Sequence, residues 1–270
     1  MLQIANRTLT QMMSYLIETP QGDLVIIDGG NCCREDAQNL YDILCQHEKH
    51  VALWIITHAH SDHLGALLWL MENVHPFDLK IDRLCFHFPD WDWLAKKEEA
   101  SINARFLDQI CMHKVPVSIP TAGKCFSCGG MEIEIISVPE DYTDYPNINA
   151  TSMICVAHFP QRDVLFLGDF DVHGQEAFLR RHDPSKIRID VVQMAHHGQD
   201  GVDESFYRLI QPKICLYAAP QWLWENNYYR CTDPASAGKG SHKTLETRKW
   251  MEDLGVEASY TQANGDILFK

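Results

Sequence analysis

Thr57-His58-Ala59-His60-Ser61-Asp62-His63 sets four potential metal ligands within six residues. Imidazole with carboxylate suits Zn²⁺, and a more oxygen-rich set shifts the preference toward Mn²⁺ or Fe²⁺. In an extended segment alternate side chains share a side, so His58 and His60 point the same way. A turn into a helix then places Asp62 and His63 in its first turn, facing back. One ion can take the first pair and a second ion the latter. The plain alternative is a polar loop that happens to be histidine-rich. Four ligands at this spacing, straight after an apolar run, argue against it.

Two further segments carry ligand types just past apolar strands: Leu165-Phe166-Leu167-Gly168-Asp169 and Met194-Ala195-His196-His197-Gly198. Alone, Asp169 and His196 read more readily as surface turn residues. Their shared position changes the balance, because α/β sheets collect ligands at strand ends. Two cations about 3.5–4 Å apart bridge a water, make it hydroxide-like near neutral pH and polarise an electrophile. His197 or His242 can donate to a substrate oxyanion or protonate a leaving group. His197 reads equally well as a supporting or surface residue, and His242 as a solvated residue near a helix start.

The elements that must position these groups are legible as hydrophobic patterns. Residues 12–18 and 23–28 read as strands around Pro20-Gln21-Gly22. Helical spacing runs over 36–47, with Leu40, Ile43 and Leu44 on one face. The continuous apolar run 51–57 is what a strand buried on both faces looks like. A helix begins near Asp62, and 81–88 is another strand. Residues 91–113 read as one long helical stretch, a candidate cap or insertion (91–115). Strands are expected at 131–138, 152–159, 164–167, 189–194 and 214–218, and helices at 175–182 and 204–210. Ser241 is the expected N-cap of a last helix running to Leu254.

His58-x-His60-x-Asp62-His63 resembles the signature of the metallo-β-lactamase fold superfamily. Asp28 of Ile26-Ile27-Asp28-Gly29-Gly30, together with Asp169 and His196, is similar to that superfamily's other motifs, in the same chain order. The resemblance spans roughly Met12 to Ile267. It implies an α/β fold, a four-layer αββα sandwich of two mixed sheets with helices on the outer faces, with a dinuclear site along one edge. It further implies that His58 and His60 ligate a first metal and that Asp62, His63 and His196 ligate a second. Asp169 would bridge the two and Asp28 would orient the ligands. Many members carry a further histidine in a His-x-x-Gly-His setting, and His75, His87, His113 and His158 are not so placed. Asn149-Ala150-Thr151-Ser152 stands there instead. This resembles the metallo-hydrolase domain of competence DNA-uptake channel proteins, as do Ala195-His196-His197-Gly198 and Gly240-Ser241-His242. The first metal then has one protein ligand fewer, or uses Asn149.

Size and composition bound the rest. A chain of 270 residues is read as one domain, 1–270. Its 46% hydrophobic and 22% charged residues are ordinary for a globular protein. No apolar run is long enough for a membrane span, and the N-terminus lacks the features of a signal peptide. Ten scattered cysteines in so long a chain suit a reducing cytoplasm better than a disulfide framework. The net charge of −14 disfavours a long duplex as partner. It leaves a small molecule or short nucleic acid as substrate.

The expected protein is thus a cytoplasmic dinuclear hydrolase working through a metal-bridging hydroxide, with Asp62, Asp28, His197 and His242 as its catalytic set. Phosphodiester cleavage leads. Ester, thioester or lactone hydrolysis, a non-enzymatic metal-binding regulator and a flavin-partnered oxidoreductase follow. Cys125-x-x-Cys128 reads as structural. Trp222, Trp224, Tyr228 and Tyr229 read as loop packing or a stacking surface. Lys96-Lys97-Glu98-Glu99 reads as a solvated helix face.

Overall fold

The computed structural model describes residues 1–139, 145–183 and 189–269. Strands β1 (Leu2–Gln3), β2 (Tyr15–Glu18) and β3 (Leu24–Ile27) lead into helix α1 (Arg34–Cys45). Next come β4 (His50–Val51), β5 (Leu53–Ile55), α2 (Ser61–Asn73), β6 (Lys80–Ile81) and β7 (Leu84–Cys85). Two helices, α3 (Trp91–Leu94) and α4 (Ala100–His113), precede β8 (Val117–Ser118). The second half holds β9 (Cys125–Cys128), β10 (Met131–Ser137), β11 (Ile154–His158), β12 (Asp163–Phe166) and α5 (Val172–Arg181). It closes with β13 (Val191–Gln193), α6 (Glu204–Ile210), β14 (Ile214–Tyr217), α7 (Gln221–Trp224), α8 (Thr244–Asp253), β15 (Ala258–Thr261) and β16 (Ile267–Leu268).

Two seven-stranded mixed sheets result, ordered β16-β1-β2-β3-β5-β7-β8 and β15-β14-β13-β12-β11-β10-β9. The apolar runs explain the layering, because period-two alternation sends each strand's side chains to two different cores. In the first sheet, Tyr15, Ile17, Val25, Ile27, Leu53 and Ile55 face the second sheet. Their neighbours Leu16, Leu24, Ile26 and Trp54 pack instead with α1, α2 and α4 through Leu40, Leu67, Phe106 and Ile110. The second sheet does the same. Cys155, Ala157, Val164, Phe166, Val191 and Leu216 meet the first sheet. Val156, Leu165, Val192 and Cys215 turn outward to Phe178, Phe206, Trp222 and Met251. This is the expected four-layer α/β sandwich: continuous apolar strands are what a sheet covered on both faces requires.

Several boundaries differ from the sequence reading, each for a local reason. The run 51–57 is divided: His50–Val51 pairs only with Lys80–Ile81, while Leu53–Ile55 enters the large sheet between β3 and β7. The run 81–88 is divided the same way. The long helix expected over 91–113 is two helices, because Glu99 adopts a left-handed backbone at φ 61. The last helix begins at Thr244 rather than after Ser241. Asn226 ties the preceding residues elsewhere, its backbone carbonyl accepting from Gly240 N and its Oδ1 from His242 N at 3.1 Å. Strand β9, carrying Cys125 and Cys128, pairs with β10 and was not anticipated. All ten cysteines are free thiols.

Strands β3 and β5 run parallel in one sheet, as do β12, β13 and β14 in the other. Their carboxyl ends open along the same edge of the sandwich. Asp28 follows β3, the His58–His63 segment follows β5, Asp169 follows β12, and His196 and His197 follow β13.

Candidate metal centre

The loop after β5 is held from both sheets. Thr57 N and Oγ1 donate to the Asp28 carboxylate, at 2.8 Å to Oδ1 and 2.9 Å to Oδ2 respectively. Met153 N donates to Thr57 O across the sandwich at 2.8 Å. Asp28 is fully buried, and its backbone lies in the left-handed region at φ 58. That strain on a non-glycine residue aims the carboxylate at His63, whose Nδ1 lies 2.8 Å from Asp28 Oδ2. Burial raises the Asp28 pKa more than His63 and Thr57 lower it.

Two groups of donor atoms form along the edge, each with its atoms within 4.8 Å of one another: Asp62, His63, Asp169 and His197, and His58, His60 and Asp169. Asp169 belongs to both. Its Oδ1 lies 3.2 Å from His63 Nε2, and its Oδ2 lies 3.4 Å from His197 Nε2 and 3.9 Å from His58 Nε2. Asp62 Oδ2 is 3.1 Å from His197 Nε2. His58 Nε2 is 3.1 Å from His60 Nδ1.

The donor chemistry fits cations. His63 Nε2 and Asp169 Oδ1 are buried 3.2 Å from each other, yet neither makes a well-aligned hydrogen bond, and buried polar groups so poorly satisfied are costly unless something binds them. The charges point the same way. Burial opposes ionisation of Asp169, but His197, His63 and His196 outweigh it and hold the carboxyl well below its ordinary range. Burial likewise disfavours charge on His63, yet Asp169, Asp28 and Asp62 hold its pKa well above the usual imidazole value. His58, buried and next to His63, is pushed well below it. Protons on imidazoles thus balance a carboxylate cluster, the balance that divalent ions would supply in their place.

The structure places His197, rather than His196, with Asp62 and His63. The reason is backbone geometry. His196, His197 and Gly198 all take positive φ, at 49, 57 and 83. This turn swings His197 inward, where its Nδ1 meets the Ala218 carbonyl at 3.0 Å. A carbonyl only accepts, so Nδ1 carries a proton. Burial disfavours charge on the ring, but Asp169 and Asp62 outweigh it and raise its pKa to about 9, so Nε2 also carries a proton toward the carboxylates, in the place an ion would take. His196 points to the cleft, 3.4 Å from Asn149 Nδ2 and 3.7 Å from Asp169 Oδ2. Asn149 Oδ1 is buried and makes no hydrogen bond. The two polar residues of Asn149-x-x-Ser152 divide their work, since Ser152 Oγ accepts from Asp169 N at 3.1 Å and anchors that carboxylate's backbone.

His242 lies farther out, against Trp222 with ring centroids 5.4 Å apart. It lines a cleft of about 560 Å³ together with His60, Asp62, Asp169, His196 and Arg230. Trp222 is fully buried, and its indole N–H donates to Leu9 O at 2.7 Å, so it packs the loop. Tyr229 and Arg230 stand exposed at the rim. Sequence reasoning missed Thr57, which links Asp28 to the loop, and Glu98, Glu99 and Asn103. The last three lie 35 or more residues from the loop they touch, and no local spacing marks them.

An αββα sandwich whose parallel strands deliver two adjoining nitrogen and oxygen donor groups to one edge defines a metallo-hydrolase fold with a site suited to two ions. The profile of the metallo-β-lactamase superfamily matches residues 7–214, and the chain belongs to that superfamily. No curated protein sequence matches the chain. Among solved structures, the metallo-β-lactamase fold protein YhfI from Bacillus subtilis aligns with a TM-score of 0.57 at 11% identity, covering 98% of each chain. CmlA, a diiron β-hydroxylase from Streptomyces venezuelae, aligns with a TM-score of 0.52 at 13% identity over 93% of this chain. The chain spans only 53% of that hydroxylase. At such identities the likeness is one of fold. Among the described residues no helix is long and apolar enough to cross a membrane.

Proposed function

We propose that the protein is a dinuclear metal-dependent hydrolase whose substrate is a small or short, single-stranded phosphodiester. The observation that carries this reading is the pair of donor groups joined at Asp169, with Asp169 Oδ1 and His63 Nε2 both buried, 3.2 Å apart and without a well-aligned hydrogen bond. His58, His60 and Asp169 would hold one ion, with Asn149 as a candidate further ligand. Asp62, His63, His197 and Asp169 would hold the other, with zinc as the leading candidate for both. Two such ions supply Lewis acidity and lower the pKa of bound water.

The protein's own residues do the positioning. Asp28 fixes the His63 ring, and the Ala218 carbonyl fixes His197, so each presents its Nε2 inward. His197, so placed, serves as a ligand and not as a proton donor. His196, His242 and Arg230 line the cleft and offer donors to phosphate oxygens. The Asn149-x-x-Ser152 arrangement, similar to nuclease-type members, favours phosphorus over carbonyl carbon. The ten free thiols favour a reducing cytoplasm, and we read 1–270 as one domain with 91–115 set into it.

The test is turnover of bis(p-nitrophenyl) phosphate by protein loaded with Zn²⁺ or Mn²⁺, with Asp169→Ala as control. Turnover is expected in the wild type and its loss in the variant. Turnover of p-nitrophenyl acetate alone would move the assignment to esters, thioesters or lactones. Turnover of neither would leave a metal-binding regulator.

A further inference from the structure

Helix α2 starts at Ser61, within the metal-binding loop, and its first amides need acceptors from outside the helix. His60, at the cap position, supplies no side-chain cap. The acceptor comes from 38 residues away: the Glu99 carboxylate takes hydrogen bonds from Ser61 N at 2.6 Å and Ser61 Oγ at 2.7 Å. A carboxylate at a helix N-terminus also meets the favourable end of the helix dipole. Glu99 does this from a left-handed backbone at φ 61, a conformation unfavourable to a non-glycine residue.

Two neighbours grip the same loop. Asn103 is fully buried, and its Nδ2 donates to Ala59 O at 3.0 Å. Glu98 Oε1 stands 3.5 Å from His60 Nε2. His60 turns its other nitrogen, Nδ1, toward His58. A carboxylate at Nε2 favours the proton there and leaves the Nδ1 lone pair toward the donor group. The same segment holds the Asn149 side of the cleft. Leu94 packs with Ala59 and Ile148, Trp93 meets Tyr145 edge-on at 5.1 Å, and Lys97 Nζ donates to Pro146 O at 3.0 Å.

We infer that Glu98, Glu99 and Asn103 form a clasp that positions the His58–His63 loop for ion binding, with Glu99 as its main anchor. The inference rests on the metal-binding reading above. These are positioning residues, acting through His60 and the first turn of α2. An ordinary surface ion pair would do little here. The difference is that Ala59, His60 and Ser61 are each contacted, in succession, by one short segment.

The experiment uses the full chain and zinc alone as probe. Zinc affinity is measured by chelator competition for wild type, E99A, E99Q and E98A, and exchange of the Ser61 amide is followed in metal-free protein. E99A is expected to weaken zinc binding by about 10–100-fold, the usual cost of losing a group that orients a ligand, and to speed Ser61 exchange. E99Q keeps an accepting oxygen and is expected to recover most of the affinity, and E98A to show the smaller loss. Wild-type zinc affinity in E99A overturns the clasp, even if Ser61 exchange quickens, because Glu99 is then a helix cap and nothing more. E99Q no better than E99A overturns it as well. Wild-type protein that takes up no zinc would instead sink the hydrolase reading itself, a result distinct from either.

Discussion

At the scale of residues, chemistry turns on which nitrogen faces which oxygen. His196 and His197 are adjacent and identical in type, yet only His197 has its Nδ1 occupied by a carbonyl and its Nε2 turned to Asp62 and Asp169. His197→Ala is therefore expected to cut zinc affinity by roughly 100-fold or more, since even groups behind the ligands cost about 10–100-fold. His196→Ala is expected to cost far less, and isothermal titration of the two variants separates them. Equal losses would mean that both rings ligate. Asp28 is a second case. It touches no ion-binding group except His63, so Asp28→Asn is expected to loosen His63 and lower zinc affinity by about 10–100-fold with little change in substrate KM. A change in KM alone would argue that Asp28 meets the substrate.

Elements carry these residues through tight turns that little else could replace. The turn after β13 runs through three positive φ angles and brings Gly198 against Tyr217. A Cβ there would lie 2.2 Å from the Tyr217 ring. Gly198→Ala combines a left-handed backbone with overpacking, at an expected cost of roughly 2–5 kcal/mol. Urea denaturation measures it, and a loss below 0.5 kcal/mol would show that the turn can relax. Helix α2 approaches the 31–32 backbone as closely: a Cβ on Gly65 would lie 2.2 Å from Cys32 N. The Gly65 of the signature region thus serves helix packing beside the ion site. Lys97, Glu98 and Glu99 show the opposite lesson. Their charge pattern suggests a solvated helix face, whereas they lie between two helices and bond to the metal loop and to Pro146.

Across the whole molecule, the site joins two sheets whose facing surfaces are mainly apolar side chains. Asp28 and the His58–His63 loop follow strands of one sheet, and Asp169 and His197 follow strands of the other. Ions held between them would cross-link the halves. Binding to the folded state alone adds about 2.7 kcal/mol at a free ligand concentration 100 times Kd. In a chain of this size that corresponds to a rise in Tm of roughly 5–10 °C. Calorimetry with zinc and with EDTA reads the shift directly. An unchanged Tm would mean that the folded chain binds zinc no better than the unfolded one. The same edge placement leaves a wide cleft whose rim carries Tyr229 and Arg230.

The sequence by itself determined the layers and the donor types. Strand runs such as Leu24–Ile27 and Val164–Phe166 are apolar throughout, and a strand of that kind is stable only between two covered faces. The spacing His58-x-His60-x-Asp62-His63, after such a strand, already implied ion chemistry. Two things were left to the tertiary structure. One is which of the adjacent His196 and His197 faces Asp62, set by backbone dihedrals and by the carbonyl of Ala218, just past β14. The other is the set of distant supports, Glu99 above all, whose bond to Ser61 spans 38 residues. Local periodicity reports which face of an element is buried. It carries no information on which distant residue will stand opposite a given amide, because that is settled only when the helices pack.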